Sequence, residues 1–286
     1  MRFTSALQVI LMVLMFAPAS VRAIEGGRAA SNGAAFAAST VALYNHGTSE
    51  LCSGVIITTT AVLTAAHCAT VDDTISVLFG VPTRGRAGQD MARPVLRSIP
   101  YPGWIARRQA PVDRGDLALL LLAVPVPASH RPAVLLDRTA GTGTGLVGPG
   151  QGFHGILAGY GSATWSVASG AGHLRHLDLE AVLWTWGKTE FLLETKDGSG
   201  CDGDSGGPLY LHIPSGGLAV LAIISRSLLS YGPRVCSHRL GLTDLTPYRQ
   251  WIDEVLIMHD SGFAMWLEAP RSPEPPSSIL SGADLG

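Results

Sequence analysis

Short apolar runs separated by Gly, Ser, Thr and Asn dominate the chain from Ser39 onward. Val41-Ala-Leu-Tyr, Val55-Ile-Ile and Ala61-Val-Leu-Thr come first; Ile75–Phe79, Leu117–Leu122, Ile156–Ala158, Leu177–Leu183, Leu209–Ile213 and Leu218–Ile224 continue the pattern. Apolar runs of this length bounded by turn residues are strands. Many of them, with Gly/Pro-rich turns between, predict an all-β sandwich or barrel, one or two in tandem. Helical signal is confined to the far end, where cap-like Thr246 and first-turn Pro247 precede Tyr248, Trp251, Ile252, Val255 and Leu256 at helical spacing. One C-terminal helix is expected there. Gly141 to Gly152, rich in Gly and Thr, reads as the link between two halves. From Met258 to Gly286 the composition turns to Pro, Ser and Glu, which predicts an extended or disordered tail.

The start of the chain has a different pattern. Arg2 precedes an almost unbroken apolar run from Leu7 to Ala17, and Val21-Arg22-Ala23 places small residues where a signal peptidase reads them. The run is about a dozen residues against the roughly 20 that a helix needs to cross a bilayer. Residues 1–23 therefore read as a secretory signal, leaving a mature chain that begins at Ile24 and has no membrane span. Export to an extracellular or periplasmic space follows, and such spaces are oxidising.

That setting gives the even set of Cys52, Cys68, Cys201 and Cys236 a meaning as disulfides, with three pairings open. A metal site is disfavoured, since no C-x-x-C pair is present. Twenty Lys and Arg against 22 Asp and Glu leave a formal charge of −2, so no basic field exists to hold nucleic acid.

Three segments carry groups with chemistry: Thr64-Ala-Ala-His67-Cys68, Asp116-Leu-Ala-Leu-Leu, and Gly203-Asp-Ser205-Gly-Gly-Pro208. A serine hydroxyl is a poor nucleophile near neutral pH and needs a base within hydrogen-bond reach, with a carboxylate to fix the base's tautomer. One of each is present. Glycines on both sides of Ser205 let the backbone bend and aim its N–H groups at an oxygen.

Together with the cysteines, these segments resemble the trypsin/chymotrypsin family of serine peptidases. Cys52 to Cys68 is similar to the family's disulfide loop that ends at the catalytic histidine, and Asp197-Gly-Ser-Gly-Cys-Asp-Gly-Asp-Ser-Gly-Gly-Pro208 to the segment carrying the nucleophile. The order His, Asp, Ser and the closing helix agree, so the resemblance covers about 24–257, the span expected for the peptidase domain. It implies two packed antiparallel β barrels with a C-terminal helix, disulfides Cys52–Cys68 and Cys201–Cys236, and a catalytic set of His67, Asp116 and Ser205. It also implies an oxyanion hole at Gly203 and Ser205, and a hydrogen bond from Ser225 to Asp116. Ile24-Glu-Gly-Gly27 is similar to the family's freed N-terminus, whose amine would pair with Asp204; cutting after Ala23 would itself expose it. A protein or peptide substrate, inhibition by a protein, a monomer and no cofactor or metal are expected.

The pocket departs from the family pattern. Ser199 stands at the floor, where trypsin-like members have an aspartate, so a basic preference is disfavoured. Gly200 beside it and Gly241 on the wall suggest an open, uncharged pocket for a large apolar or aromatic side chain. Ser225-Arg226-Ser227 replaces the usual Ser-Trp-Gly; Arg226 either favours an acidic group on the substrate or is simply solvated. Asp202 at the pocket mouth biases the other way. The competing function is a catalytically silent homologue that binds a partner through the same crevice.

Overall fold

The computed structural model describes residues 24–69, 74–83, 91–138, 152–162, 170–196, 198–214, 216–228 and 236–268. The expected signal at 1–23 lies outside these residues, as does the expected link except for Gly152. In the first half, β1 (Arg28–Ala29) is followed by β2 (Thr40–Asn45), β3 (Leu51–Thr58), β4 (Ala61–Thr64), β5 (Ile75–Leu78), β6 (Arg93–Pro100), α1 (Trp104–Arg107) and β7 (Ala118–Leu122). Six of these strands close into an antiparallel barrel in the order β2-β3-β4-β7-β6-β5.

The second half contains β8 (Val134–Asp137), β9 (Gly152–Gly159), β10 (Arg175–Trp186), β11 (Glu190–Glu194), β12 (Gly200–Cys201) and β13 (Pro208–His212). It continues with β14 (Leu218–Leu228), β15 (Cys236–Ser237), β16 (Arg239–Asp244), α2 (Arg249–Met258) and β17 (Met265–Glu268). Here the circuit β13-β9-β10-β11-β16-β14 closes through the β13–β14 pairing. The molecule is thus all-β, two six-stranded antiparallel barrels with one C-terminal helix. Disulfides join Cys52 to Cys68 and Cys201 to Cys236.

Burial explains why strands such as β7 are apolar at every position and do not alternate. Ala118, Leu120 and Leu122 face the inside of the first barrel with Val41, Leu43, Ile56, Val62 and Phe79. Leu117, Leu119 and Leu121 face the other way, into a layer shared with Ala158, Tyr160, Tyr210 and Val220 of the second barrel and Ile252 and Leu256 of α2. Both faces of the strand are dry, so no position rewards a polar residue. The shared layer is what holds the barrels in register. Leu119→Ala, which empties part of it from a fully buried position, is expected to cost about 2–5 kcal/mol of stability, read as a lower urea midpoint.

The expected tail is corrected at its near end. Residues beyond Met258 do not leave the domain: β17 pairs in parallel with β8, Met265 opposite Val134 and Glu268 opposite Asp137. Trp266 Nε1 donates to Asp253 at 2.9 Å and its ring lies under the Arg249 guanidinium. A half-buried Trp with an internal partner and a strand edge to pair with outweighs the polar composition around it. The proline-rich part, 269–286, lies outside the described residues.

Candidate active site

His67 sits in a single tight turn, Ala66–Cys68, that follows β4 directly, and the Cys68–Cys52 disulfide ties that turn to β3. Asp116 ends the loop before β7, after Gly115 in the left-handed region at φ 67°. Its carboxylate is almost fully buried and accepts three hydrogen bonds: His67 Nδ1–H to Oδ2 at 2.8 Å, the His67 backbone N–H to Oδ1 at 3.0 Å, and the Ser225 hydroxyl to Oδ2 at 2.6 Å. A carboxylate can only accept, so Nδ1 carries the ring proton and Nε2 is left with a free lone pair.

Burial alone favours neutral His67. The hydrogen bond and charge of Asp116, helped by Glu50, outweigh it and hold the imidazole above its usual 6.5. For Asp116 burial likewise opposes the charge, and the His67 and Ser225 bonds win, holding it below the usual carboxylate value.

Ser205 lies on a turn clamped from both barrels. Its carbonyl accepts the Ser53 N–H at 2.8 Å, Ser53 Oγ donates to the Gly203 carbonyl at 2.8 Å, and the Gly206 N–H donates to the Ile224 carbonyl at 2.7 Å. Gly206, at φ 79°, tolerates no side chain: a Cβ there would sit 2.1 Å from Thr64 Oγ1 and 2.3 Å from the Ser53 carbonyl. The same holds at Gly203, φ 95°, against Gly161. This close approach of the second barrel's turn to β3 and β4 brings Ser205 and His67 onto the walls of the same two cavities. Among the described residues no hydrogen bond joins the Ser205 hydroxyl to His67, and neither the Gly203 nor the Ser205 N–H has a protein acceptor.

Asp204 points away from the groove and is fully buried. Its carboxylate accepts the N–H groups of Cys201 at 2.9 Å and Gly161 at 2.8 Å, and burial pushes it up to about 7. In the intact chain the Ile24 nitrogen is an uncharged peptide nitrogen, so the expected Ile24–Asp204 ion pair is not formed. The segment is nonetheless docked: Ile24 is fully buried in the second barrel's core, Glu25 bridges to Ser199, and Arg28 and Ala29 pair with β10.

The expected pocket residues divide. Gly200, Asp202, Ser225, Arg226 and Ser227 line a cavity of about 320 Å³ beside Ser205, together with Trp104, Arg114 and Leu240. Ser199 and Gly241 are not on its wall. Ser199 turns to Glu25, donating to its carboxylate at 3.1 Å, and Gly241 faces Trp186 and Arg226. Leu240, fully buried, lies 2.8 Å from where a Gly200 Cβ would be and narrows the space those glycines were expected to open.

Arg226 is neither solvated nor free for a substrate acid. Its guanidinium forms a two-pronged pair with the fully buried Glu190 carboxylate, at 3.0 and 2.7 Å, and stacks on Trp186 at 4.6 Å. Glu190, 36 positions away, was invisible to a reading of local motifs. On the other side of Ser205 a groove of about 920 Å³ is bordered by Glu50, Asp202, Tyr44, His46 and Leu51. Among the described residues the one grouping of metal-type donors is Cys52, His67 and Cys68, whose sulfurs are consumed in a disulfide.

A histidine held by a buried aspartate shares two cavities with a serine on a turn clamped from both closed barrels, an arrangement that suits a serine hydrolase. A family model described as Trypsin matches residues 24–252. The chain is 29% identical to granzyme M of Homo sapiens over 234 residues, 72% of this chain and 80% of granzyme M. It is 28% identical to kallikrein-2 of Homo sapiens over 239 residues, 76% of this chain and 84% of kallikrein-2. The chain belongs to the trypsin family. It is a serine endopeptidase, and its substrates are proteins or peptides.

Proposed function

We propose that His67, Asp116 and Ser205 form the catalytic set of an exported, monomeric peptidase whose domain runs from Ile24 through the peptidase fold. In this reading the Ser205 oxygen attacks the scissile carbonyl while its proton passes to His67 Nε2. The tetrahedral oxyanion is held by the N–H groups of Gly203 and Ser205, and His67 returns the proton to the leaving amine. Water then enters by the same route in reverse, cleaving the acyl-serine ester. Asp116 keeps Nδ1 protonated and balances the imidazolium. No cofactor takes part.

The observation that carries the reading is the Nδ1–Asp116 bond beneath a ring that shares its groove with Ser205. The disulfides and the sequence of residues 1–23 support export. Ser199 turned aside, Arg226 already paired and Leu240 across the pocket support a specificity site for apolar side chains, aliphatic ahead of aromatic, with Asp202 and Arg114 also on its wall.

The test is digestion of a mixed peptide library by the form beginning at Ile24, beside its Ser205→Ala variant, with the cut bonds read by mass spectrometry. Cleavage after aliphatic residues, absent from the variant, supports the reading; cleavage that persists in the variant, or none by the folded, disulfide-bonded enzyme, overturns it. The base must be neutral to accept a proton, so activity falls on the acid side as His67 protonates. Because Asp116 and Glu50 hold His67 up, the acid limb of kcat/KM is expected to have its midpoint above 6.5.

A further inference from the structure

We propose that Arg226 is a positioning residue for the triad, acting through Ser225 and fixed by Glu190; the inference rests on the catalytic reading above. The guanidinium is gripped on several sides. Its Nη1–H donates to Glu190 Oε1 at 3.0 Å and to Ser225 Oγ at 3.2 Å; its Nη2–H donates to Glu190 Oε2 at 2.7 Å and to the Pro111 carbonyl at 2.9 Å. Its face lies on Trp186. Glu190 Oε1 also accepts the Arg114 N–H at 3.1 Å, so the carboxylate is tied to the loop that carries Asp116 as well.

What this does to Ser225 follows from counting protons. A hydroxyl has one hydrogen to give and lone pairs to receive with, whereas a guanidinium can only donate. With Arg226 donating into a lone pair of Ser225 Oγ, the hydroxyl proton is left to point at Asp116 Oδ2, 2.6 Å away. Donation into the oxygen also polarises the hydroxyl and strengthens the bond it gives. A continuous chain therefore runs from Glu190 through Arg226, Ser225 and Asp116 to His67 Nδ1, crossing from the second barrel to the first. Its far end is anchored in a dry site, since the Glu190 side chain is fully buried and that of Arg226 is 12% exposed. Arg226 thus holds Asp116 through Ser225 while its own guanidinium stays bound to Glu190.

The charged groups facing this chain are few. Asp116 meets His67, and His67 is also within the influence of Glu50 and Arg114. Arg114 in turn feels both Arg226 and Glu190.

The test compares the mature enzyme with three variants: Arg226→Met combined with Glu190→Gln, which strands no buried charge; Ser225→Ala; and all three changes together. Thermal unfolding confirms that each is folded at the assay temperature, and kcat, KM and the pH dependence of kcat/KM are measured on one peptide. Losing one oriented hydrogen bond to Asp116 is expected to lower kcat about tenfold with KM unchanged. The acid limb should move upward, because Asp116 with one donor fewer holds the His67 proton more firmly. In the Ser225→Ala background the Arg226/Glu190 changes should add nothing to the loss in kcat. An unchanged kcat and acid limb overturns the proposal, as does a rise in KM at constant kcat, which would make Arg226 a substrate contact. A full additional loss in the Ser225→Ala background overturns it too. Failure of the catalytic reading shows itself separately, as activity that survives Ser205→Ala.

Discussion

Replacing Ser205 with alanine is expected to lower kcat by about five to six powers of ten while the protein stays folded. The size follows from the division of labour in the site. Among the described residues, what else Ser205 does structurally is done by its backbone, whose carbonyl accepts the Ser53 N–H. Under the proposed mechanism, removing the hydroxyl deletes the nucleophile and leaves the turn, the disulfides and the proposed oxyanion donors in place. What activity remains comes from binding and from those donors acting on water's attack. The measurement is kcat on a peptide cut by the parent enzyme, with circular dichroism and the unfolding midpoint confirming an intact fold. A loss of only tenfold would mean that another residue carries the chemistry.

The second large effect concerns the bond between Ala23 and Ile24. Asp204 is a fully buried carboxylate that, among the described residues, accepts hydrogen bonds from two backbone N–H groups, and its value of about 7 is set first by burial. A carboxylate raised in the folded state binds more protons folded than unfolded, so stability is greatest below its unfolded value near 4 and is lost as pH rises toward 7. About three pKa units amount to roughly 4 kcal/mol. The intact chain is therefore expected to lose that much stability between about pH 4 and 7, seen as a falling urea midpoint. A freed Ile24 amine placed beside Asp204 brings the missing positive charge, lowers the carboxylate and removes that loss.

Activity should follow the same bond. Asp204 lies between Gly203 and Ser205, so under the proposed mechanism its setting orders the N–H groups assigned to the oxyanion on either side. A form with residues retained before Ile24 is expected to show kcat/KM lower by about two powers of ten or more, the contribution of one oxyanion donor. N-terminal sequencing combined with the same peptide assay checks it. Equal activity of the extended and cleaved forms would remove the role assigned to Ile24.

The strands that could be read in advance were those with enough consecutive or alternating apolar residues, such as Leu117–Leu122, which is dry on both faces, and Leu177–Leu183, which alternates. Strands β6 and β11 escaped. The former carries Pro94 and Pro100 and three exposed positions, and the latter begins and ends with glutamate; in each, pairing with neighbours decides what local composition leaves ambiguous. The candidate site followed a similar division. His67, Asp116 and Ser205 stand beside residues whose identity is set by local geometry: a half-cystine, an apolar strand, glycines at positive φ. The pocket was not legible, because its character depends on side chains meeting across the second barrel. Nothing near Arg226 in the sequence announces that Glu190 will neutralise it, and nothing near Ser199 shows that Glu25 will draw it away from the cavity.

The segment from Ser261 to Glu268 touches both halves of the molecule. Thr60 of the first barrel donates to the Ser261 carbonyl, Gly262 lies against Thr58, and β17 then zips onto β8, which itself pairs with β14 of the second barrel. In order of synthesis this strap comes after His67, Asp116 and Ser205. A chain still emerging from the ribosome thus holds His67, Asp116 and Ser205 before it holds the strap that bridges the barrels. The consequence is an order of assembly: the contacts by which this strap bridges the two barrels are completed only after the segments that carry the candidate site have been made.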